Sequence, residues 1–451
     1  MLKKPLTLTV LAATLQLLTH AQSTRPLSAP ERAMVSFIDA NQQASNDLLA
    51  RLVNINSGTH NLEGVGAIAD IMKAELSGLG FQVKWIAMNE VQRAGVLVAE
   101  HPCHEPGKCG KRMLLIGHMD TVFEKASPFQ MYAVKGNIGT GPGVNDMKGG
   151  LVIMLEALKA MKAAGVLDGA EITIVLSGDE EDHGEPSTIS RRDMISAAHH
   201  SDVALEFEGT PRTNGIFYGS VSRRSSITWR INATGETGHS SGIFSDRMGF
   251  GAIYELTRIL DTFRTELPEP NLTFSIGMVA GGTAVHIDEA GNNATVAGKD
   301  NVVPPAAYAS GDIRTISNEQ TARVEKKMEA IVAKHLPKTG ANISFGQGYP
   351  AMPPTAQSRA LLAMLNGANA SLGFSAMPEL DPMKRGAGDI AFVADLVPGL
   401  AGVGATGEGA HAPRETIDLS AQPINAKRDA LLMYRLTQID QKTDLTTISG
   451  K

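Results

Sequence analysis

The chain has 451 residues, 43% hydrophobic and 20% charged, with a net charge of −6. That length supports a large core and more than one domain. No Lys/Arg run is long enough to follow a phosphate backbone, which argues against nucleic acid as a partner and for a small-molecule or peptide substrate.

Residues 1–21 read "MLKKPLTLTVLAATLQLLTHA": two lysines, an apolar stretch, then small residues. This pattern predicts a signal peptide cleaved after Ala21 and a periplasmic or secreted protein, with an uncleaved anchor as the alternative. No other stretch approaches membrane-spanning length, so no membrane contact is expected of the mature form. Apolar residues at helical spacing then cover 28–55 and recur in "EGVGAIADIMKAELSGLG", predicting two helices. The short β-rich runs "QVKWIAM", "AGVLVAE" and "MLLIGHM" precede a helix expected over Gly149–Ala164 and a strand in "AEITIVLSG". Strands alternating with helices predict an α/β catalytic domain whose mixed, largely parallel sheet is flanked by helices.

The two cysteines, Cys103 and Cys109, share the loop "HPCHEPGKCG". In an exported chain they are expected to close a small disulfide. The alternative is a zinc knuckle made by His101, Cys103, His104 and Cys109.

From about Phe217 the strand-like runs "SSITWRINATG", "NLTFSIGMVAGG" and "YASGDIRTI" alternate with two helical segments, predicting an inserted α+β domain. The expected division is a first catalytic segment over 28–215, a lid or dimerisation domain over 216–348, and a second catalytic segment over 349–440. The last of these holds a helix, the strand "GLAGVGA" and a final helix near "INAKRDALLMYRLTQI".

Five segments carry candidate chemistry. In "LLIGHMDTVF", His118 and Asp120 lie two apart at a strand end and so share a side. Asp120 is thereby suited to hold one imidazole nitrogen while the other binds a metal. Asp146 follows the Gly-rich "GTGPGVN" and precedes a helix, and its two oxygens suit it to bridging two cations. In "SGDEEDHG", crowded carboxylates need solvent or cations. "ALEFEG" sets Glu206 and Glu208 at an apolar strand end, costly if buried unpaired. His411 lies in the loop "GATGEGAHAPRETIDL". Singly, each has an ordinary structural explanation: a solvated turn, a helix-terminus carboxylate, an exposed histidine. Together His118, Asp146, Glu181, Glu208 and His411 offer two imidazoles and three carboxylates near strand ends, a set suited to a pair of Zn2+ ions.

The motifs "GHMDTV", "GPGVNDMKGG", "DEE", "EFEG", "GHSSG", "NVVP", "DIR" and "GAHAPRETIDL" occur in this order across most of the mature chain. This series resembles the co-catalytic dizinc metallopeptidases that include bacterial glutamate carboxypeptidase, aminoacylase, succinyl-diaminopimelate desuccinylase and peptidase T, with the glutamate carboxypeptidase branch nearest. The resemblance implies that His118 and Glu208 hold one zinc, Glu181 and His411 the other, and that Asp146 bridges them. It implies that Asp120 orients His118 and that Glu180 is the general base. Glu208 is preferred to Glu206 only because it matches the family's "FE" dipeptide. A cis peptide bond between Asp146 and Met147 is also implied.

By the same resemblance, His239 reaches an oxyanion, often from a partner subunit of a homodimer formed through the lid. Asn301 and Arg314 contact the substrate or its carboxylate, although Arg314 reads equally as a strand arginine in a salt bridge. Two segments depart from the family pattern. "VHIDEAGNNATVAGKD" is long, predicting a different lid near His286. "KRGAGDIAF" begins with Arg385, which suits an anion pocket, and has Gly388 where relatives carry a hydroxyl. The expectation is a zinc-dependent carboxypeptidase acting on N-acyl or N-peptidyl amino acids with a free carboxylate. Its rivals are an aminopeptidase or aminoacylase-type deacylase, a non-catalytic zinc- or peptide-binding protein, and a serine hydrolase built on Ser177 or Ser240.

Overall fold

The computed structural model describes residues 25–104, 109–288 and 291–448. The proposed signal segment, 1–21, lies outside the described residues. Helical spacing over 28–55, read as one helix, forms two, Ala29–Ala40 and Gln42–Val53. Between them the Asn41 side chain turns back to donate to the Phe37 carbonyl at 2.8 Å, with backbone φ −112° and ψ 13°. Asparagine competes with the helix for its own backbone bonds, which explains the break.

The central sheet has six strands in the order Gln82–Met88, Arg93–His101, Ile172–Ser177, Met113–His118, Val203–Glu206, Gly399–Leu400. The last four are mutually parallel and the first two antiparallel. Met113–His118 is buried along its whole length because helices cover both faces, as its unbroken apolar run requires. The strand expected in "GLAGVGA" reaches the sheet only over Gly399–Leu400.

Beneath this sheet lies the helix Lys148–Ala163, one residue offset from expectation, and nearly all of it is buried. It can approach because Gly150 has no side chain: a Cβ there would stand 1.9 Å from the Phe207 carbonyl oxygen. That contact brings the Asp146 loop against the strand end that carries Glu206 and Glu208.

A second sheet is antiparallel throughout, in the order Thr273–Gly282, Ala306–Arg314, Ile227–Gly235, Thr339–Phe345. Burial alternates along Ile227–Gly235, and Trp229, Ile231 and Ala233 join the helices Ala252–Glu266 and Asn318–Val332 in a core of their own. At roughly 1.5–3 kcal/mol per large buried apolar side chain, that core holds the helices to one face. The long segment after "GGTA" forms the hairpin Ala284–Ile287 with Ala294–Ala297, where His286 is exposed.

Cys103 and Cys109 are joined in a disulfide, so the zinc-knuckle alternative does not apply. Among the described residues, no helix is long and apolar enough to cross a membrane.

Candidate metal centre and active site

The parallel strands deliver their polar residues to one edge. His118 ends its strand, Asp179, Glu180 and Glu181 follow the end of Ile172–Ser177, and Glu206 and Glu208 lie at and just past the end of Val203–Glu206. Carboxyl ends of parallel strands are where ligands bind in such sheets.

Asp146 stands in the middle. Its Oδ1 lies 3.2 Å from His118 Nε2 and its Oδ2 lies 3.2 Å from His411 Nε2, so each oxygen faces a different imidazole. His411 Nε2 is also 3.0 Å from Glu181 Oε2, and His118 Nε2 is 4.0 Å from Glu208 Oε1. The Asp146–Met147 peptide is cis. Three overlapping triads result: His118/Asp146/Glu208, Asp146/Glu181/His411 and His118/Glu180/Glu181. Each gathers one donor atom per residue within 4.8 Å of the others.

Nitrogen and oxygen ligands about 2.0–2.2 Å from one tetrahedral zinc would be roughly 3.3 Å apart, close to these separations. Glu181 Oε1 is buried and has no hydrogen-bond partner among the described residues, as expected of a donor atom meant for a cation. The donor set therefore fits borderline divalent metals such as zinc.

The neighbouring glutamates have different partners. Glu206 accepts from Arg223 at 2.5 Å and from the Ile390 amide at 2.9 Å, which occupies both its oxygens. Glu208 sits farther out and faces His118.

Asp120 does more than orient an imidazole. His118 Nδ1 lies 3.4 Å from its Oδ1 and 3.1 Å from its carbonyl, while Asp120 also accepts from Thr59 Oγ1 and from the amides of Glu180 and Glu181. One buried carboxylate thus fixes both His118 and the acidic loop.

Electrostatics in the site follow from crowding. Burial alone would raise the Asp146 carboxyl, but hydrogen bonds from His118 and His411 hold it far below the usual range. Burial, helped by the Asp146 charge, pushes Glu181 up to about 7, and its hydrogen bonds to Asp146 and Glu181 push His411 up to about 11. Glu180 is raised well above the ordinary carboxylate value, first by burial and then by Glu208 and Glu181, against the pull of His118. Burial, and the repulsion of neighbouring carboxylates, dominate at Glu180 and Glu181, whereas the two imidazoles dominate at Asp146.

Other expected site residues are placed differently. Arg385 Nη2 lies 3.5 Å from Glu208 Oε2, at the edge of the cluster. Arg314 is in an ion pair with Asp312 at 3.0 Å. His239, on the short strand Gly238–His239, is exposed and bonded to Ser241, and next to it the Asn301 carbonyl accepts from Ser240. Neither His239 nor Asn301 makes a hydrogen bond or ion pair with the cluster within one chain. Ser177 Oγ donates to Asp389 and has no imidazole partner among the described residues, which removes the support for a serine hydrolase built there.

Several residues were not singled out from sequence. Glu415 accepts from the amides of Gly143, Asn145 and Asp146 and so shapes the Asp146 loop; its only sequence signal was its place in the His411 motif. Arg223 pairs with Glu206 and Glu208, and Arg191 and Tyr349 hold the acidic loop from behind.

The model of Peptidase family M20/M25/M40 matches residues 114–433. The chain belongs to this family. It is 30% identical over 409 residues to carboxypeptidase G2 from Pseudomonas sp. (strain RS-16), covering 88% of this chain and 90% of that one. Among solved structures it resembles aminopeptidase PepT from Bacillus cereus ATCC 10987 with a TM-score of 0.68 at 17% identity, covering 88% of this chain and 99% of that one. A dinuclear metal-binding peptidase from Bacillus subtilis superposes with a TM-score of 0.61 at 17% identity over 89% and 99%. The chain is accordingly an enzyme of the metallopeptidase and amidohydrolase type, and its α/β fold is that of the family.

Proposed function

We propose that the protein is an exported, dizinc carboxypeptidase-type amidohydrolase that cleaves N-acyl or N-peptidyl amino acids bearing a free carboxylate, with glutamate-like residues as the first substrates to try. The observation that carries the reading is Asp146, whose two oxygens each face a different imidazole at 3.2 Å beside a buried Glu180. His118, Asp146 and Glu208 would hold one zinc, and Asp146, Glu181 and His411 the other. Zinc there supplies Lewis acidity toward a scissile carbonyl and acidifies water.

The chain's own residues supply the rest. Glu180 takes a proton from the attacking water and delivers it to the leaving amine, a role suited to a buried carboxyl beside His118 and Glu181. Asp120 keeps His118 in one orientation by holding Nδ1. Arg314, Asn301 and Arg385 bind the substrate carboxylate, and His239, supplied by a partner subunit, donates to the developing oxyanion. The Cys103–Cys109 disulfide supports export, since such bonds persist in oxidising compartments. The name of the Pseudomonas relative supports the carboxypeptidase type.

A panel of N-acyl and N-peptidyl amino acids tests this, each offered as the free acid and as its C-terminal amide. Hydrolysis of free acids alone is expected. Preference for the amides, or for peptides with a free amino terminus whatever their carboxyl end, would favour an aminopeptidase instead.

A further inference from the structure

Both chain crossings between the two sheets run side by side. Ser226 and Tyr349 exchange backbone hydrogen bonds, each 3.0 Å, and so do Arg223 and Met352, at 3.0 and 2.9 Å. This antiparallel ribbon sends one side chain to each flank of the cluster. Arg223 reaches Glu206 and Glu208, and the Tyr349 hydroxyl donates to the Glu180 carbonyl oxygen at 2.6 Å.

The Tyr349 hydroxyl is itself held. Arg191 Nη2 donates to it at 3.0 Å, and the same guanidinium donates to Asp179 Oδ1 and Asp389 Oδ1, each at 2.7 Å, and to the Asp179 carbonyl. Asp389 in turn accepts from Ser177 at the strand end, and Asp179 from the Gly184 amide. The ring packs between His183 and Phe392. Arg191 is buried, and its guanidinium also donates to the Ser190 carbonyl at 3.3 Å.

On its front, the Glu180 peptide is fixed by Asp120, which accepts its N–H. On its back, the hydroxyl of Tyr349 is the group that fixes its carbonyl. We propose that Tyr349 is a positioning residue for Glu180: its hydroxyl, aligned by Arg191, ties the peptide of the general base to the ribbon joining the two sheets. A shift of the ribbon then moves Glu180 relative to the attacking water. This inference rests on Glu180 being the base, as proposed above.

Tyr349→Phe tests it with little change of volume. Relative to wild type in the zinc-loaded protein, kcat is expected to fall about 10- to 100-fold, as misplacement of a catalytic group does. KM and zinc content should stay at wild-type values, with the melting temperature lowered by no more than a few degrees for the buried hydrogen bonds lost. Hydrogen exchange over residues 178–184, measured on the metal-free protein, should accelerate. Unchanged kcat, or unchanged exchange over that loop, would overturn the proposal, as would parallel losses of kcat, zinc and melting temperature, which indicate a structural role only. Glu180→Gln, assayed alongside, separates the two readings. If it is inactive while Tyr349→Phe keeps wild-type kcat, the clamp fails and the proposed function stands. If Glu180→Gln remains active, the proposed function fails and takes the clamp with it.

Discussion

In the six-stranded sheet the central strands are buried on both faces and polar side chains are confined to their carboxyl ends. There His118, Glu181 and Glu208 meet Asp146 within 4.8 Å in overlapping sets. In the four-stranded sheet burial alternates and one face is covered by two helices; Arg314 on that sheet and His239 on the neighbouring two-stranded ladder are bonded to near neighbours instead of to the cluster. The contrast shows two ways of carrying chemistry. The first region gathers its candidate ligands within one chain at strand ends, with Asp120 held against His118 and Glu415 against the Asp146 loop. The second holds its polar groups in local bonds, away from the cluster.

Metal removal would expose this division most strongly. Treatment with a chelator should abolish hydrolysis, and added zinc should restore it, while the four-stranded sheet and its separate core keep their melting behaviour. Loss of both at once would deny the distinction.

Next in size is Arg223→Met, which removes the cation bonded to buried Glu206 at 2.5 Å and leaves Glu208 with Arg385 as its remaining arginine, at 3.5 Å. Breaking a buried pair from one side costs about 3–5 kcal/mol, so urea unfolding of the metal-free variant should show that loss. A change within error would mean that Glu206 is protonated or reached by water.

For the second region, His239→Ala should lower kcat about 10²- to 10³-fold, the usual effect of losing one oxyanion donor, with zinc content unchanged. Mixing it with an inactive Glu180→Gln protein sharpens the point: mixed dimers should regain activity if His239 acts across subunits. A wild-type kcat in the single variant would leave His239 as a loop histidine.

Of the residues gathered in the cluster, those at strand ends were the most legible in the sequence, because a readable apolar strand precedes them. His118 and Asp120 are two apart, Glu180 and Glu181 adjacent, and each follows an apolar strand whose end could be read. What supports them was not legible. Arg223 to Glu206 spans 17 residues, Arg191 to Asp389 198 and Tyr349 to Glu180 169, and a lone arginine or tyrosine has no pattern that names its partner. For the same reason Glu206 and Glu208, two apart at one strand end, were separable only once Arg223 and the Ile390 amide had claimed the first. The helix break at Asn41 was missed because the apolar spacing continues across it and the interruption comes from one side-chain bond to Phe37.

The smallest expected effect lies away from the site. Glu31 is buried, caps its helix through the Ser28 amide at 2.6 Å and accepts from Arg435 at 2.8 Å. Burial would raise its carboxyl, but these bonds hold it below the ordinary glutamate value. A carboxyl lowered in the folded state contributes stability above its unfolded value and loses it as pH falls through the folded one. Glu31→Gln should therefore cost about 1–3 kcal/mol at neutral pH, with the gap to wild type closing on acidification below the unfolded value. A gap independent of pH would show that packing, not charge, sets the effect.

The central claim is that Asp146 bridges two zinc ions beside the base Glu180, and zinc counted by elemental analysis tests it most directly. The count would be made on wild type, Glu180→Gln and Asp146→Ala, with hydrolysis measured on the same samples. The account predicts two zinc ions per chain in the first two, hydrolysis reduced about 10²- to 10⁴-fold by the loss of Glu180, and fewer than two ions without Asp146. Two ions retained without Asp146, or full activity without Glu180, would contradict it.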